Sequence, residues 1–352
     1  MKFGSCAVAM LCAALAASPL GVAQARAGQD RGARELRFEF PGLQVGIAEY
    51  AEGPTGCTVF LFPDRAMVTA DVRGGSPGTT GTDAVRLGYE AAFVDAIVFA
   101  GGSAYGLAAA DGVRSELLAS GRRGVRWGNI ASVLGAIIYD FGVRANTIHP
   151  DRELGQAALR AAVPGVFPLG ARGAGRSATV GKLYGRAYME HAGQGGAFVQ
   201  VGPTRIAVFT VVNSVGVLVD RAGRAVRGNR DPRSGVRSLY SQDLASGAAA
   251  GKRKAVLPPL PEPRPDGVTG NTTITLLLVN QKLGYADLQR LAVQTHTSMA
   301  RAIQPFQTRN DGDVLFAAST GEVENPELHF DDLAVVAGEV AWDAGLASYD
   351  PR

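Results

Sequence analysis

Apolar and polar positions along the chain sort into short strand-like runs followed by longer helical ones. Residues 43–50, 57–62 and 66–72 are rich in β-formers and are broken by Gly and by Pro63-Asp64, which predicts adjacent antiparallel strands. The run 96–100 is a compact apolar strand, and Gly101-Gly102 leads from it to Ser103, placed to cap an alanine-rich helix running to Val113. Residues 204–213 and 274–279 are further apolar strands. Over 285–303, Leu288, Leu291, Ala292, Met299 and Ile303 recur at helical spacing, and a last helix fits 331–344.

Composition sharpens this picture at three points. With 352 residues, 46% of them hydrophobic and only 19% charged, the chain has the material for one large core or two small ones. A net charge of +3 with dispersed basic residues leaves no electrostatic footprint for nucleic acid. From 220 to 266 the pattern lapses: six arginines between Arg221 and Arg237, then Ala and Gly, then Pro258-Pro259 through Pro265, which is the composition of an exposed linker or flap with a solvated charge run.

The first 27 residues have the layout of a cleaved secretory signal: Lys2, an apolar run over 7–17, and small residues at Ala23, Ala25 and Ala27. The apolar run falls short of the roughly 18–20 residues that span a bilayer. A secreted or periplasmic protein is expected, with no membrane attachment once the signal is removed. Cys6 and Cys12 leave with that segment, so Cys57 is the sole cysteine of the mature chain and no internal disulfide forms. Cys57 sits in a strand-like run and reads as a small buried hydrophobe. His149, His191, His296 and His329 lack metal-ligand spacing among themselves or with Cys57, so no zinc site is expected.

Two motifs carry candidate chemistry. Gly74-Gly75-Ser76-Pro77-Gly78 matches the letters of a nucleophile elbow, but the residue after that serine must donate its N–H to an oxyanion, and Pro77 has none. It reads as a Gly-Pro turn. Gly270-Asn271-Thr272-Thr273 is a small, polar mouth on a buried strand, directly after the Pro-rich stretch. A hydroxyl there can reach the carbonyl before it. Attack by Thr272 on Asn271 would give an ester, and its hydrolysis would leave Thr272 as a new N-terminus, whose α-amine (pKa about 7.7–8.0) can take the hydroxyl proton. From spacing alone an ordinary β-branched strand start is the better fit. Asn310-Asp311-Gly312-Asp313 precedes another apolar run, and its two carboxylates, Asp311 and Asp313, can orient an amine and a nucleophile or simply occupy a solvated turn.

Gly42-Leu-Gln-Val-Gly46, Arg73-Gly-Gly-Ser-Pro-Gly78, Gly101-Gly-Ser-Ala-Tyr-Gly-Leu107, Gly135-Ala-Ile-Ile-Tyr-Asp140, Gly270-Asn-Thr-Thr-Ile274 and Asp311-Gly-Asp313 jointly resemble the autoprocessing L-aminopeptidase/D-esterase family. That family also contains β-aminopeptidases and the 6-aminohexanoate (nylon) oligomer endohydrolase. The resemblance implies an α+β fold, a four-layer αββα sandwich similar to N-terminal-nucleophile hydrolases with different connectivity. It implies one catalytic domain cut at Asn271–Thr272 into an α chain (28–271) and a β chain (272–352), assembled as a homo-oligomer of αβ pairs. It implies Thr272 as nucleophile, with Tyr139, Lys182, Asn213, Asp311 and Asp313 as partners. Lys182 would hold developing negative charge and lower the amine pKa, Asn213 and Tyr139 would donate to the oxyanion or the substrate carbonyl, and no metal or organic cofactor would be needed. The expected substrate is a small peptide or amide, taken by an aminopeptidase or by an endo-acting hydrolase of linear polyamides. The reading from another class is an unprocessed binding protein of the same fold.

Overall fold

A computed structural model describes residues 34–88, 92–249 and 270–351. The expected signal segment (1–27) and residues 250–266 of the expected linker lie outside them. In chain order the main elements are β1 (Gln44–Tyr50), β2 (Thr55–Val72), β3 (Ala92–Ala100), α1 (Ala108–Ala119), β4 (Val133–Ile137), α2 (Arg152–Arg160), β5 (Gln194–Val201), β6 (Thr204–Asn213), α3 (Tyr240–Ala249), β7 (Thr272–Gln281), α4 (Tyr285–Ser298), β8 (Val314–Val323) and α5 (Phe330–Leu346).

Hydrogen bonding runs β5-β6-β7-β8-β2-β3-β4, with β1 also on β2, and two two-residue strands at the margins bring this hydrogen-bonded network to ten strands among the described residues. β7 and β8 are parallel, as are β3 and β4; the other pairs along this path are antiparallel. The alternation of side chains along each strand sorts the apolar residues into three cores. Phe60, Phe99, Phe209, Ile274, Leu276 and Phe316 meet in a core made by strand residues, with Phe60 and Phe99 edge-on at 5.0 Å. Leu277, Val279, Leu315 and Ala317 face the other way, onto Leu288 and Leu291 of α4 and Ala337 and Ala341 of α5. Cys57, Val59, Ala96 and Val98 pack on Val113 of α1 and Leu154 and Ala158 of α2. The order is therefore helix, sheet, sheet, helix, the four-layer α+β sandwich. Strands buried on both faces read as continuous apolar runs, which is why β7 shows no polar alternation after its first residues.

The structure revises several local expectations. The runs 57–62 and 66–72 are one strand, β2, with a register shift between Leu61 and Ala66 in place of a turn. Arg65 takes φ +62° there, and its guanidinium holds the buried Asp95 of β3 at 3.0 Å. Ser103 caps nothing: Gly102 and Ser103 both take left-handed φ, a 3-10 turn spans Ser103–Leu107, and α1 starts at Ala108. The helix over 285–303 stops at Ser298, and Ile303 enters a short strand on Val217–Val219. In the stretch expected as a linker, 220–249 has regular structure. Ala225–Arg227 pairs with Val217–Val219, Leu239 is buried against Val217 and Val219, and Arg237 pairs with Glu190 at 2.6 Å, so that part of the arginine run serves as ion-pair partners. Among the described residues no helix is long and apolar enough to cross a membrane.

Candidate active site

Three strand ends converge at one point. β7 and β8 run parallel with Ile274 opposite Val314, so the residues entering the two strands lie side by side, and Asn271 bridges to Asp311. β6 is antiparallel to β7 and ends with Asn213 opposite Thr272. This register brings Thr272 together with Asp311, Gly312 and Asp313, although some forty residues separate them in sequence. Asn213, Asn271, Thr272, Asp311 and Asp313 are all buried.

The Thr272 hydroxyl lies 2.5 Å from the Asn271 carbonyl oxygen, to which it donates. The same oxygen accepts the Gly312 N–H at 2.7 Å. Thus the oxygen of the peptide bond that Thr272 would break is already held by a main-chain donor, with the candidate nucleophile beside it.

The residues expected as partners lie around this bond. Lys182 is carried by a loop whose Gly181 and Lys182 N–H groups bond to Gly216 and Val215 carbonyls. Its ammonium donates to Asn213 O at 2.8 Å, Asn213 Oδ1 at 3.0 Å and Gly270 O at 3.5 Å. Burial pulls the Lys182 pKa down to about 7, against the upward pull of the Asp311 carboxylate. Asn213 was expected to donate to an oxyanion. Here its side-chain amide donates to the Tyr139 carbonyl at 2.9 Å while its Oδ1 accepts from Thr179 N–H at 3.0 Å, so it ties three segments together. Tyr139 stands against Gly270: an L side chain at 270 would place its Cβ 2.3 Å from the Cβ of Tyr139. Gly270→Ala is therefore expected to displace the bond and to slow any cut there about 10²-fold, the cost of misplacing reacting atoms by about an ångström. A gel time course measures it, and an unchanged rate would show that the contact does not position the bond.

The two carboxylates hold backbone. Asp311 accepts from Val215 N–H at 3.2 Å and from the hydroxyl and N–H of Thr308, at 2.5 and 3.1 Å. Asp313 accepts Thr273 N–H at 2.5 Å and Gln307 N–H at 2.9 Å. Burial and the neighbouring Asp311 charge push the Asp313 pKa up to about 7.

Sequence reasoning treated Gly74-Gly75-Ser76 as a mere turn, and its contacts are more specific than that. Arg73 and Gly74 N–H groups both bond to Asp313 O at 3.1 Å, Gly75 N–H to Thr308 O at 3.2 Å, and Ser76 N–H to Asp311 O at 2.9 Å. The strap is anchored from below by Asp71, which takes Arg73 Nε at 2.7 Å and the buried His296 Nδ1 at 3.1 Å. Two consecutive glycines immediately after a buried strand were the available signal.

Comparisons with known proteins bear on the family and the fold. The chain is 42% identical over 326 residues to a 6-aminohexanoate-oligomer endohydrolase of Paenarthrobacter ureafaciens, covering 90% of this chain and 86% of that protein. It is 37% identical over 288 residues to an uncharacterised aminopeptidase of Mycobacterium leprae, covering 76% and 72%. Among solved structures, the β-aminopeptidase of Burkholderia sp. aligns with a TM-score of 0.59 at 18% identity over 90% of this chain and 87% of that one. The L-aminopeptidase D-Ala-esterase/amidase of Ochrobactrum anthropi, described as a variant of the Ntn hydrolase fold, aligns at 0.58 and 19% identity over 87% and 83%. These two likenesses speak for the fold. Because the model of peptidase family S58 matches residues 39–345, nearly all of the described chain, the protein belongs to that family and is a hydrolase of peptide or amide bonds.

Proposed function

We propose that this protein is a self-processing threonine amidohydrolase whose Thr272 first cuts its own chain and then attacks substrate amides. The observation that carries the reading is the Thr272 hydroxyl at 2.5 Å from the Asn271 carbonyl oxygen, which the Gly312 N–H also holds. In self-cleavage, Oγ bonds to the Asn271 carbon, the C–N bond breaks, and the hydroxyl proton ends on the Thr272 nitrogen. Water then hydrolyses the ester to an Asn271 carboxyl group and a free Thr272. The freed α-amine serves as base for its own hydroxyl, and a substrate amide passes through an acyl-enzyme on Thr272. Lys182, Asn213 and Tyr139 shape one side of the site, and Asp311 and Asp313 the other. A secreted or periplasmic location rests on the signal-like pattern of residues 1–27.

The purified protein is expected to run as two chains, the smaller beginning Thr-Thr-Ile-Thr. A single full-length chain with amidase activity would overturn the self-processing part.

A second reading concerns the substrate. Three relatives at 42% identity are named endohydrolases of 6-aminohexanoate oligomers and match 90% of this chain, against 37% and 76% for the aminopeptidase of Mycobacterium leprae. This favours an endo-acting hydrolase of linear polyamide oligomers over an aminopeptidase. N-acylated and free-amine forms of one oligomer separate the two: an endohydrolase cleaves both at rates within about tenfold, whereas an aminopeptidase loses the acylated one by the 10⁴–10⁵-fold typical of a missing polar anchor.

A further inference from the structure

We infer that the main-chain N–H of Gly312 is the oxyanion donor of the self-cleavage step, and that the Ser76 N–H polarises it through the peptide group between Asp311 and Gly312. The inference rests on the self-processing reading and adds to it a main-chain donor.

The geometry is a relay of main-chain groups. Ser76 N–H donates to the Asp311 carbonyl at 2.9 Å. That carbonyl belongs to the same peptide plane as the Gly312 N–H, which donates onward to the Asn271 carbonyl at 2.7 Å. A peptide group that accepts at its oxygen is a stronger donor at its nitrogen, because the two bonds polarise each other. As Thr272 Oγ bonds to the Asn271 carbon, that carbonyl oxygen takes up the negative charge and the Gly312 bond strengthens, while the ground state gains less. This is the differential stabilisation that accelerates a reaction. In this precursor geometry the named bonds of the Asn213 amide and the Lys182 ammonium run elsewhere, to Tyr139 O, to Asn213 itself and to Gly270 O.

The residue type follows from the same packing. A Cβ on residue 312 would stand 2.7 Å from Thr272 Oγ1 and 2.6 Å from the Ser76 carbonyl oxygen, so any side chain would separate the nucleophile from the strap. The glycine between the two aspartates is thus the point where main chain approaches the reacting bond. Both neighbours hold it still: Asp311 O and Asp313 O are fixed by the strap, and both carboxylates accept backbone N–H groups.

The test replaces one N–H by oxygen without adding an atom. Cell-free synthesis of the full chain with a suppressor tRNA carrying glycolic acid puts an ester at position 312. Self-cleavage of the folded chain is expected to slow about 10²–10³-fold, the usual effect of losing one oxyanion donor. The same swap at Gly74, whose N–H bonds to Asp313 O, also removes a loop hydrogen bond and is expected to stay within about tenfold of the unmodified chain. The α-hydroxy analogue of serine at position 76 is expected to slow the cut by less than the ester at 312 and by more than that at 74. Equal rates for the 312 and 74 esters would overturn the inference, as would a 76 ester as fast as the unmodified chain. Failure of the unmodified chain to cut would instead overturn the self-processing reading, so the two failures are distinguishable.

Discussion

Thr272→Ala is expected to remain one chain and to hydrolyse no amide. The hydroxyl removed is the one beside the Asn271 carbonyl oxygen, and the loss of an essential nucleophile costs on the order of 10⁶-fold in rate. Misfolding is not the expected cause. Thr272 is the first residue of β7, and the apolar residues that hold the strand, Ile274 to Val279, are untouched, so stability should change by about 1 kcal/mol or less. The Thr272→Ser variant keeps the hydroxyl and should still be cut. Denaturing gels and intact mass read both results. Cleavage after Asn271 that persists in the alanine variant would end the proposal that the chain cuts itself.

The second large effect is in pH. Asp313 accepts two N–H groups, one on each oxygen, and only the carboxylate accepts both without turning an O–H toward a donor. Burial and Asp311 raise its pKa to about 7, so the competent form accumulates as pH rises through 7. Lys182 titrates near the same pH with the opposite consequence. Its three contacts, Asn213 O, Asn213 Oδ1 and Gly270 O, are all acceptors, so the ammonium is the form that fits, and burial makes it lose its proton above about 7. Self-cleavage is therefore expected to follow a bell with its maximum near pH 7, the acid limb belonging to Asp313 and the alkaline limb to Lys182. Asp313→Asn turns an NH₂ toward one of those N–H groups, at about 1–3 kcal/mol. That corresponds to a slowing of roughly 10- to 100-fold, and the acid limb should vanish with it. A flat profile between about pH 5 and 9 in the unsubstituted chain would show that neither group has the assigned role.

How much of this was legible in the sequence depends on range. β7 was readable because both its faces are buried, and the polar letters of Thr272 and Thr273 stood out against it. The Asp-Gly-Asp turn was readable as a candidate for the same local reason. That the two meet came from the family resemblance alone, since it depends on the parallel pairing of β7 with β8, and no local pattern encodes the register of strands joined through a helix. Gly74-Gly75-Ser76 failed in the same way: its partners, Thr308, Asp311 and Asp313, lie more than 230 residues further on, and nearby letters suggested only a turn. At Pro63-Asp64 a local breaker signal was overridden by pairing with β3 and by the Arg65–Asp95 ion pair. Over 220–249, charge suggested a solvated linker, while single residues such as Leu239 and Arg237 attach the segment to the body. The contacts of Asn213 were also beyond local reading: it lies opposite Thr272, and its side chain ties Thr179, Lys182 and Tyr139 together.

The placement of β7 and β8 has a consequence for assembly in time. Both strands lie inside the sheet, with β6 on one side and β2 on the other, and α4 and α5 travel with them. A cut before Thr272 leaves every one of these hydrogen bonds in place, so the two pieces stay interleaved and neither can leave without opening the sheet. The order of folding changes, however. The uncut chain closes its sheet in a unimolecular event, whereas the cut form, once denatured, has to insert a separate fragment between two strands of another, at a rate that depends on concentration. The proposed cleavage would thus turn a chain that can fold again alone into one whose native state is kept mainly by the slowness of unfolding.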